Sequence, residues 1–301
     1  MKVKKAIIPV AGFGTRLLPA TKAIPKEMMP VVDKPLIQYV VKECTDAGIK
    51  QIVLITHSSK MAIENHFDKS YELESTLEKR VQRQLLEEIQ SICDKDLSII
   101  HIRQNETRGL AHAINCARPI LDGEPFTVVL PDVIINQYTF DAKTQNLAQM
   151  LKIFDETSIS QIMVEEVPMD KVESYGIVDP ALEISKPLTP GMSFPIKNLV
   201  EKPKPQDAPS NLAVVGRYVL SGDIWPLFSQ TPLGVGNEIQ LTDTLKLLLK
   251  QSQINAYNIH GKTIDCGSKL GLAMANLEYG TKDPRFGNEL KEFIKELVAN
   301  D

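Results

Sequence analysis

The sequence predicts an α/β fold: a Rossmann-like, mainly parallel (mixed) sheet flanked by helices. Three observations carry this expectation. Short apolar, β-branched runs have the pattern of strands buried on both faces: KAIIPVAG (5–12), which ends at glycine, QIVLIT (51–56) and FTVVLP (126–131). Amphipathic stretches alternate with these runs, the pattern of successive β-α-β units. A chain of 301 residues with 43% hydrophobic content is also long enough to bury a substantial core.

The first strand, 5–12, leads into a long segment, 11–34, before the first helix. That helix is read over KPLIQYVVKECTDAGIK: Pro35 suits a first turn, Leu36, Ile37, Val40, Val41 and Cys44 form an apolar stripe, and Gly48 can end it. The run 51–56 is the second strand, joined by a right-handed crossover. A single amphipathic helix is expected over 71–93, where Leu73, Leu77, Val81, Leu85, Ile89 and Ile92 recur at spacings of three and four. GLAHAINCARPIL reads as one helix before the strand 126–131. The runs 160–167, 211–220 and 254–259 continue the sheet, with helices over 144–155 and 242–250. Seven prolines between Pro180 and Pro209 predict loops or edge strands there. The tail carries Leu290, Phe293, Ile294, Leu297 and Val298 on one stripe and is expected to dock as a terminal helix, on its own subunit or a neighbour.

Composition excludes several classes of function. Lys plus Arg number 34 against 38 Asp plus Glu, so no broad positive field exists for nucleic acid or an acidic membrane. The apolar run at 6–11 contains Pro9 and breaks at Gly12, too short for a signal core or a span, which makes the cytoplasm the expected location. Cys44, Cys93, Cys116 and Cys266 include no C-x-x-C pair and are expected to be reduced thiols in or near the core. Neither H-E-x-x-H nor G-x-S-x-G occurs, so the five histidines are read as structural or exposed.

The segment 11–34 is where chemistry is expected. Connections in α/β units usually take about two to six residues, and ligands of open sheets bind beyond the carboxyl ends of strands, where this segment starts. Gly12 and Gly14 allow close backbone approach and present N–H groups to phosphate oxygens. Arg16 adds a bidentate fork and Lys26 a point charge. The pattern is neither a Walker A loop nor a Rossmann G-x-G-x-x-G, since Leu17 stands at the last glycine. A tight turn with solvated basic residues fits the same letters.

The surrounding words narrow the choice. AGFGTRLLPATKAIPKEMMPVVDKPLIQYVV resembles the amino-terminal signature of sugar-nucleotide pyrophosphorylases, particularly the bacterial UTP:glucose-1-phosphate uridylyltransferases. THSSK, IENHFD, LEKRVQRQLLEEIQSI, LPDVII, YGIVD, VEKP, APSNLAVVGRYVLSGDIWPL, NEIQLTD and DCGSKLG follow in that family's order, from about residue 4 to 280. The resemblance implies a nucleotide-diphospho-sugar transferase fold and one catalytic domain over 1–280. Its nucleotide half would be about 1–135 and its sugar half about 136–280, with a terminal helix in 281–301. It implies attack of glucose 1-phosphate on the α-phosphorus of UTP, giving UDP-glucose and pyrophosphate with no covalent enzyme intermediate.

The same resemblance assigns residues. Arg16 and Lys26 are the expected catalytic cations, and Asp132 and Asp265 the expected Mg²⁺ ligands. Ala11, Gly12, Gly14, Thr15, Gln104 and Gly109 would bind the nucleotide, and Gly176, Glu201 and Lys202 the sugar phosphate. A homodimer or homotetramer is implied too. Two rival readings stay open: a related transferase using dTTP or another sugar phosphate, and a catalytically silent regulatory paralogue.

Overall fold

A computed structural model of the chain describes residues 2–183 and 187–299. Among the described residues nine strands form one sheet, in the order 98–103, 51–56, 5–9, 126–129, 212–220, 160–166, 254–258, 193–201, 176–180. The first four are mutually parallel, as β-α-β winding demands. Beyond them Leu212–Leu220 runs antiparallel to both its neighbours, and Ser193–Glu201 to both of its own, while Ile254–Asn258 is parallel to Ser160–Glu166. The sheet is therefore parallel through its amino-terminal half and mixed beyond.

Alternation along the strands divides the core. Ile7, Val53, Ile55 and Val128 face one side, with Trp225 and the helices Leu110–Asn115 and Leu241–Leu249. Ala6, Ile8, Ile52, Leu54 and Val129 face the other, with Leu36–Asp46 and Leu147–Thr157. All these strand residues are fully buried. Period-two alternation on a sheet covered on both faces leaves no polar side, which is why the runs read as continuously apolar.

Several expectations need correction. The long segment 11–34, given no elements by the sequence, folds into 3-10 turns at Thr15–Leu17, Ala20–Lys22 and Lys26–Met28, then a ribbon of Pro30–Val31 against Lys34–Pro35. Pro35 precedes the helix Leu36–Asp46 instead of opening it. Ser98–Arg103 is an edge strand that the sequence reading left out; none of its residues is fully buried, and exposed Ser98, His101 and Arg103 interrupt its apolar signal. The stretch 109–121 is two helices, Leu110–Asn115 and Arg118–Leu121, because the Pro119 ring would meet the Asn115 carbonyl and offers no N–H.

The single helix over 71–93 is also two, Tyr71–Lys79 and Arg83–Gln90. Gln82 N–H donates to the Leu77 carbonyl and Val81 N–H to Glu78, closing the first helix with Val81 left-handed at φ 58°. Glycine usually takes that position, so periodicity ran straight through a stop that no glycine announced. Gln90 Nε2 donates to Glu74 Oε2 at 3.0 Å across the resulting hairpin. Pro180 ends the edge strand Gly176–Pro180 as predicted, but Pro195 lies in Ser193–Glu201, an internal strand paired on both sides, with a bulge between Ile196 and Asn198. The tail helix, Gly287–Ala299, docks on its own subunit only through the start of that stripe, where half-buried Leu290 packs against Gly280, and leaves Phe293, Leu297 and Val298 exposed. All four cysteines are free, two of them buried. Among the described residues, no helix is long and apolar enough to cross a membrane.

Candidate active site

Two short strands bring distant carboxylates together. Val133–Ile135 pairs antiparallel with Thr263–Asp265, and the register sets Val133 opposite Asp265. Asp132, one residue earlier, therefore stands beside Asp265 although 133 positions separate them (265 − 132). The ribbon sits on an apolar cluster of Val31, Leu36, Ile134, Cys266, Ala275 and Tyr279, which fixes it against the helix Lys269–Gly280.

The DCGSKLG stretch then holds Asp265 in place. Gly267 N–H donates to Asp265 Oδ1 at 3.0 Å and to the Asp132 carbonyl at 3.1 Å. Ser268 caps the next helix by accepting from Gly271 N–H, and its hydroxyl donates to the Asp265 carbonyl at 3.0 Å. A side chain at Gly271 would run into that same carbonyl, so this glycine permits the helix to approach.

Arg16 and Lys26 meet these carboxylates from the other side. Lys26 Nζ lies 2.7 Å from Asp132 Oδ2, and Arg16 Nη1 lies 2.9 Å from Asp265 Oδ2 with Nη2 3.4 Å from Asp132 Oδ2. Burial pushes the Asp132 carboxyl up, but Lys26 and Arg16 together outweigh it and hold the group below its ordinary range. The four formal charges cancel. Gly14, left-handed at φ 67°, accepts the Thr21 hydroxyl on its carbonyl at 2.8 Å, and an added Cβ would stand 2.9 Å from Lys26 Cβ. Its missing side chain makes room for Lys26. Gly12 is exposed and an added Cβ there would meet nothing within 4 Å, Ala11 is buried, and Thr15 is exposed on the first 3-10 turn.

The remaining predicted residues lie on either side of this cluster. Gln104 follows the strand Ser98–Arg103, is 3% exposed, and meets His112 Nδ1 through Nε2 at 2.8 Å. Gly109, at φ 99°, leaves space that the chain itself fills: an added Cβ would stand 2.6 Å from the Ile239 carbonyl oxygen. Ile239 N–H donates to the Arg108 carbonyl and Ala111 N–H to that of Ile239, so NEIQLTD clamps this turn. Gly176 of the edge strand and Glu201 of the strand beside it face each other, and Thr242 Oγ1 donates to Glu201 Oε2 at 2.6 Å. Lys202, at φ 45°, keeps its side chain largely exposed 4.0 Å from Glu201. Tyr175, next to Gly176, has its phenol pushed up first by burial and then by the Asp265 and Glu165 charges, which ties the Gly176 side to the aspartates.

Sequence reasoning missed the supports. Arg217 and Glu43 form a buried pair at 2.7 Å, and Arg217 Nη1 also donates to the Leu130 carbonyl two residues before Asp132. Glu27 and Lys60 form another at 2.8 Å behind Lys26. Burial pushes the Glu27 carboxyl up, with Lys60 and Lys26 opposing it, and the net shift is upward. The DCGSKLG glycines, Thr242, Glu27, Lys60 and Arg217 all lie in recognised blocks, but nothing in the letters marked the charged ones as buried partners. Buried charge pairs look like surface charges until the fold is known.

Among the described residues, no group of three or more His, Cys, Asp or Glu gathers into a protein-made metal cage. Two adjacent carboxylates still fit a hard divalent cation whose other ligands come from phosphate and water. The chain belongs to the nucleotidyl transferase family, whose model matches residues 5–282. It is 57% identical to the UTP–glucose-1-phosphate uridylyltransferase of Haemophilus influenzae over 295 residues, 98% of this chain and 99% of that one. A UTP-bound UGPase from Acinetobacter baumannii superposes with a TM-score of 0.90 at 47% identity, covering 98% of this chain and 99% of its own. A UDP-glucose pyrophosphorylase complexed with UDP-glucose gives 0.82 at 39%, covering 93% and 100%.

Proposed function

We infer that this chain transfers a uridylyl group from UTP to glucose 1-phosphate, releasing pyrophosphate and UDP-glucose. The observation that carries this reading is the meeting of Arg16, Lys26, Asp132 and Asp265 on one ribbon end. Relatives alike over nearly the whole chain bear that name, and solved neighbours hold the nucleotide and the product.

The chemistry is alignment and charge control. A phosphate oxygen of the sugar attacks the α-phosphorus of UTP while the bond to pyrophosphate breaks, and both partners are anions. Arg16 and Lys26 supply two positive charges that turn from the carboxylates to phosphate oxygens and offset the charge that develops in transfer. Divalent-cation use is general in the family, and Asp132 and Asp265 would hold Mg²⁺ here. Bound there, the ion would supply positive charge that neutralises the phosphates. Ala11, Gly12, Gly14 and Thr15 lie along the nucleotide path, with Gln104 and Gly109 toward the base. Gln104 would exchange its His112 contact for the uracil edge, since an amide offers both a donor and an acceptor. Gly176 and Glu201 receive the sugar hydroxyls and Lys202 its phosphate.

The nucleotide half is 1–135 and the sugar half 136–280, in a cytoplasmic enzyme. The exposed stripe of the tail helix supports self-association as a dimer or tetramer, which light scattering measures. A substrate panel reading pyrophosphate release tests the function. Turnover with UTP, glucose 1-phosphate and Mg²⁺, abolished by chelation, is the expected result. Exclusive use of dTTP would replace the substrate assignment, and no metal-dependent turnover with any pair would make the chain a silent paralogue.

A further inference from the structure

Glu27 follows Lys26 directly and points elsewhere. In a 3-10 turn successive side chains diverge by about 120°, so Lys26 reaches Asp132 while Glu27 enters the protein, with no exposed surface. There Lys60 Nζ donates to Glu27 Oε2 at 2.8 Å, and Lys60 is itself 3% exposed. Glu27 Oε1 is buried without a hydrogen-bond partner. Lys60 ends the turn Ser58–Lys60, just beyond the strand Gln51–Thr56 that pairs with the first strand. The same turn begins at His57, whose ring meets Phe13 of the glycine loop edge to face, with centroids 5.9 Å apart. One short turn on the sheet thus holds both the glycine loop and the turn that bears Lys26.

Stability alone explains this arrangement poorly. Apolar side chains of similar volume commonly replace a buried ion pair at no loss of stability, and an orphaned carboxylate oxygen is a cost. What an ion pair provides and an apolar contact does not is a fixed direction.

We propose that the Glu27–Lys60 pair is a positioning element for the transfer reaction: it sets the rotation of the Lys26–Met28 turn, and so the place where Lys26 Nζ stands, without touching substrate. The proposal rests on the role given to Lys26 above. A displacement of about 1 Å at a reacting group is enough to cost about 10²-fold in rate.

The test compares Glu27→Met/Lys60→Met, Glu27→Gln and Lys26→Ala, singly and combined, by steady-state kinetics, thermal unfolding and crystallography. The apolar pair is expected to unfold within a few degrees of the parent, with kcat lower by about 10- to 100-fold and KM for UTP changed less than about threefold. In the Lys26→Ala background the same replacement is expected to cost less than about threefold more, because both act through one amine. In the crystal structure of Glu27→Met/Lys60→Met with Lys26 intact, Lys26 Nζ is expected to leave Asp132. Glu27→Gln, which preserves shape, is expected to lose kcat by about fivefold or more at unchanged KM, and it decides the matter should the apolar pair not fold. Parent-level kcat in a folded variant, losses that multiply with Lys26→Ala, or an unmoved 2.7 Å contact to Asp132 would each overturn the proposal. Full turnover by Lys26→Ala alone would instead remove Lys26 from the chemistry, while the crystallographic readout still decides whether the pair sets its position.

Discussion

Replacing Gly267 with alanine probes the cluster through its tightest spot. An added Cβ would collide with Arg16 Nη2 and stand 3.0 Å from Asp265 Oδ1 and 3.1 Å from Asp132 Oδ2. The arginine end is flexible and more than half exposed, so it can swing away, and its exposed ion pairs contribute little to folding. The expected loss of stability is about 1 kcal/mol or less. Activity is another matter. With Arg16 expelled, one charge-stabilising donor is lost, worth about 10²-fold in kcat, or about 2.7 kcal/mol of barrier. Pyrophosphate-release kinetics beside thermal unfolding measure both effects. In an Arg16→Ala background, Gly267→Ala is expected to cost little more, since the atom it displaces is gone. Full activity with alanine at 267, or equal losses in both backgrounds, would refute the reasoning.

Three further outcomes are expected. Lys26→Ala lowers kcat by about 10²-fold or more in the same assay, and near-normal turnover would remove Lys26 from the mechanism. Asp132 titrates lower in the folded state than its ordinary value of about 3.9, so its contribution to stability is complete above that value and fades as pH falls through the depressed pKa. Urea unfolding in EDTA should accordingly show a gap between parent and Asp132→Asn at pH 7 that closes in strong acid; a gap that widens on acidification contradicts the sign. Thr242→Val removes the donor to Glu201 Oε2 and should raise KM for glucose 1-phosphate severalfold with KM for UTP nearly constant; equal change in both would detach Thr242 from the sugar side.

What the sequence disclosed follows from how far each signal reaches along the chain. The parallel core was legible because strands covered on both faces become unbroken apolar runs, as at 5–9, 51–56 and 126–129. Arg16 and Lys26 stood out because their segment is too long for a connection, and the resemblance supplied the role proposed for them. Asp132 and Asp265 have no local mark; their meeting depends on the register of a three-residue ribbon, and only resemblance pointed to them. Glu27, Lys60, Glu43 and Arg217 were illegible for the opposite reason. A buried charge differs from a surface charge only by a partner brought near in space, 33 positions away for the first pair and 174 for the second. The split at Val81 was hidden because backbone hydrogen bonds at 77–82 ended the helix while the apolar spacing continued.

A crystal structure grown with UTP and Mn²⁺, a stand-in for magnesium with an anomalous signal, addresses the core of the account. The account predicts a manganese peak bound by carboxylate oxygens of Asp132 and Asp265, with Lys26 and Arg16 turned onto the triphosphate. A metal or triphosphate found elsewhere, with the four side chains still paired among themselves, would contradict it.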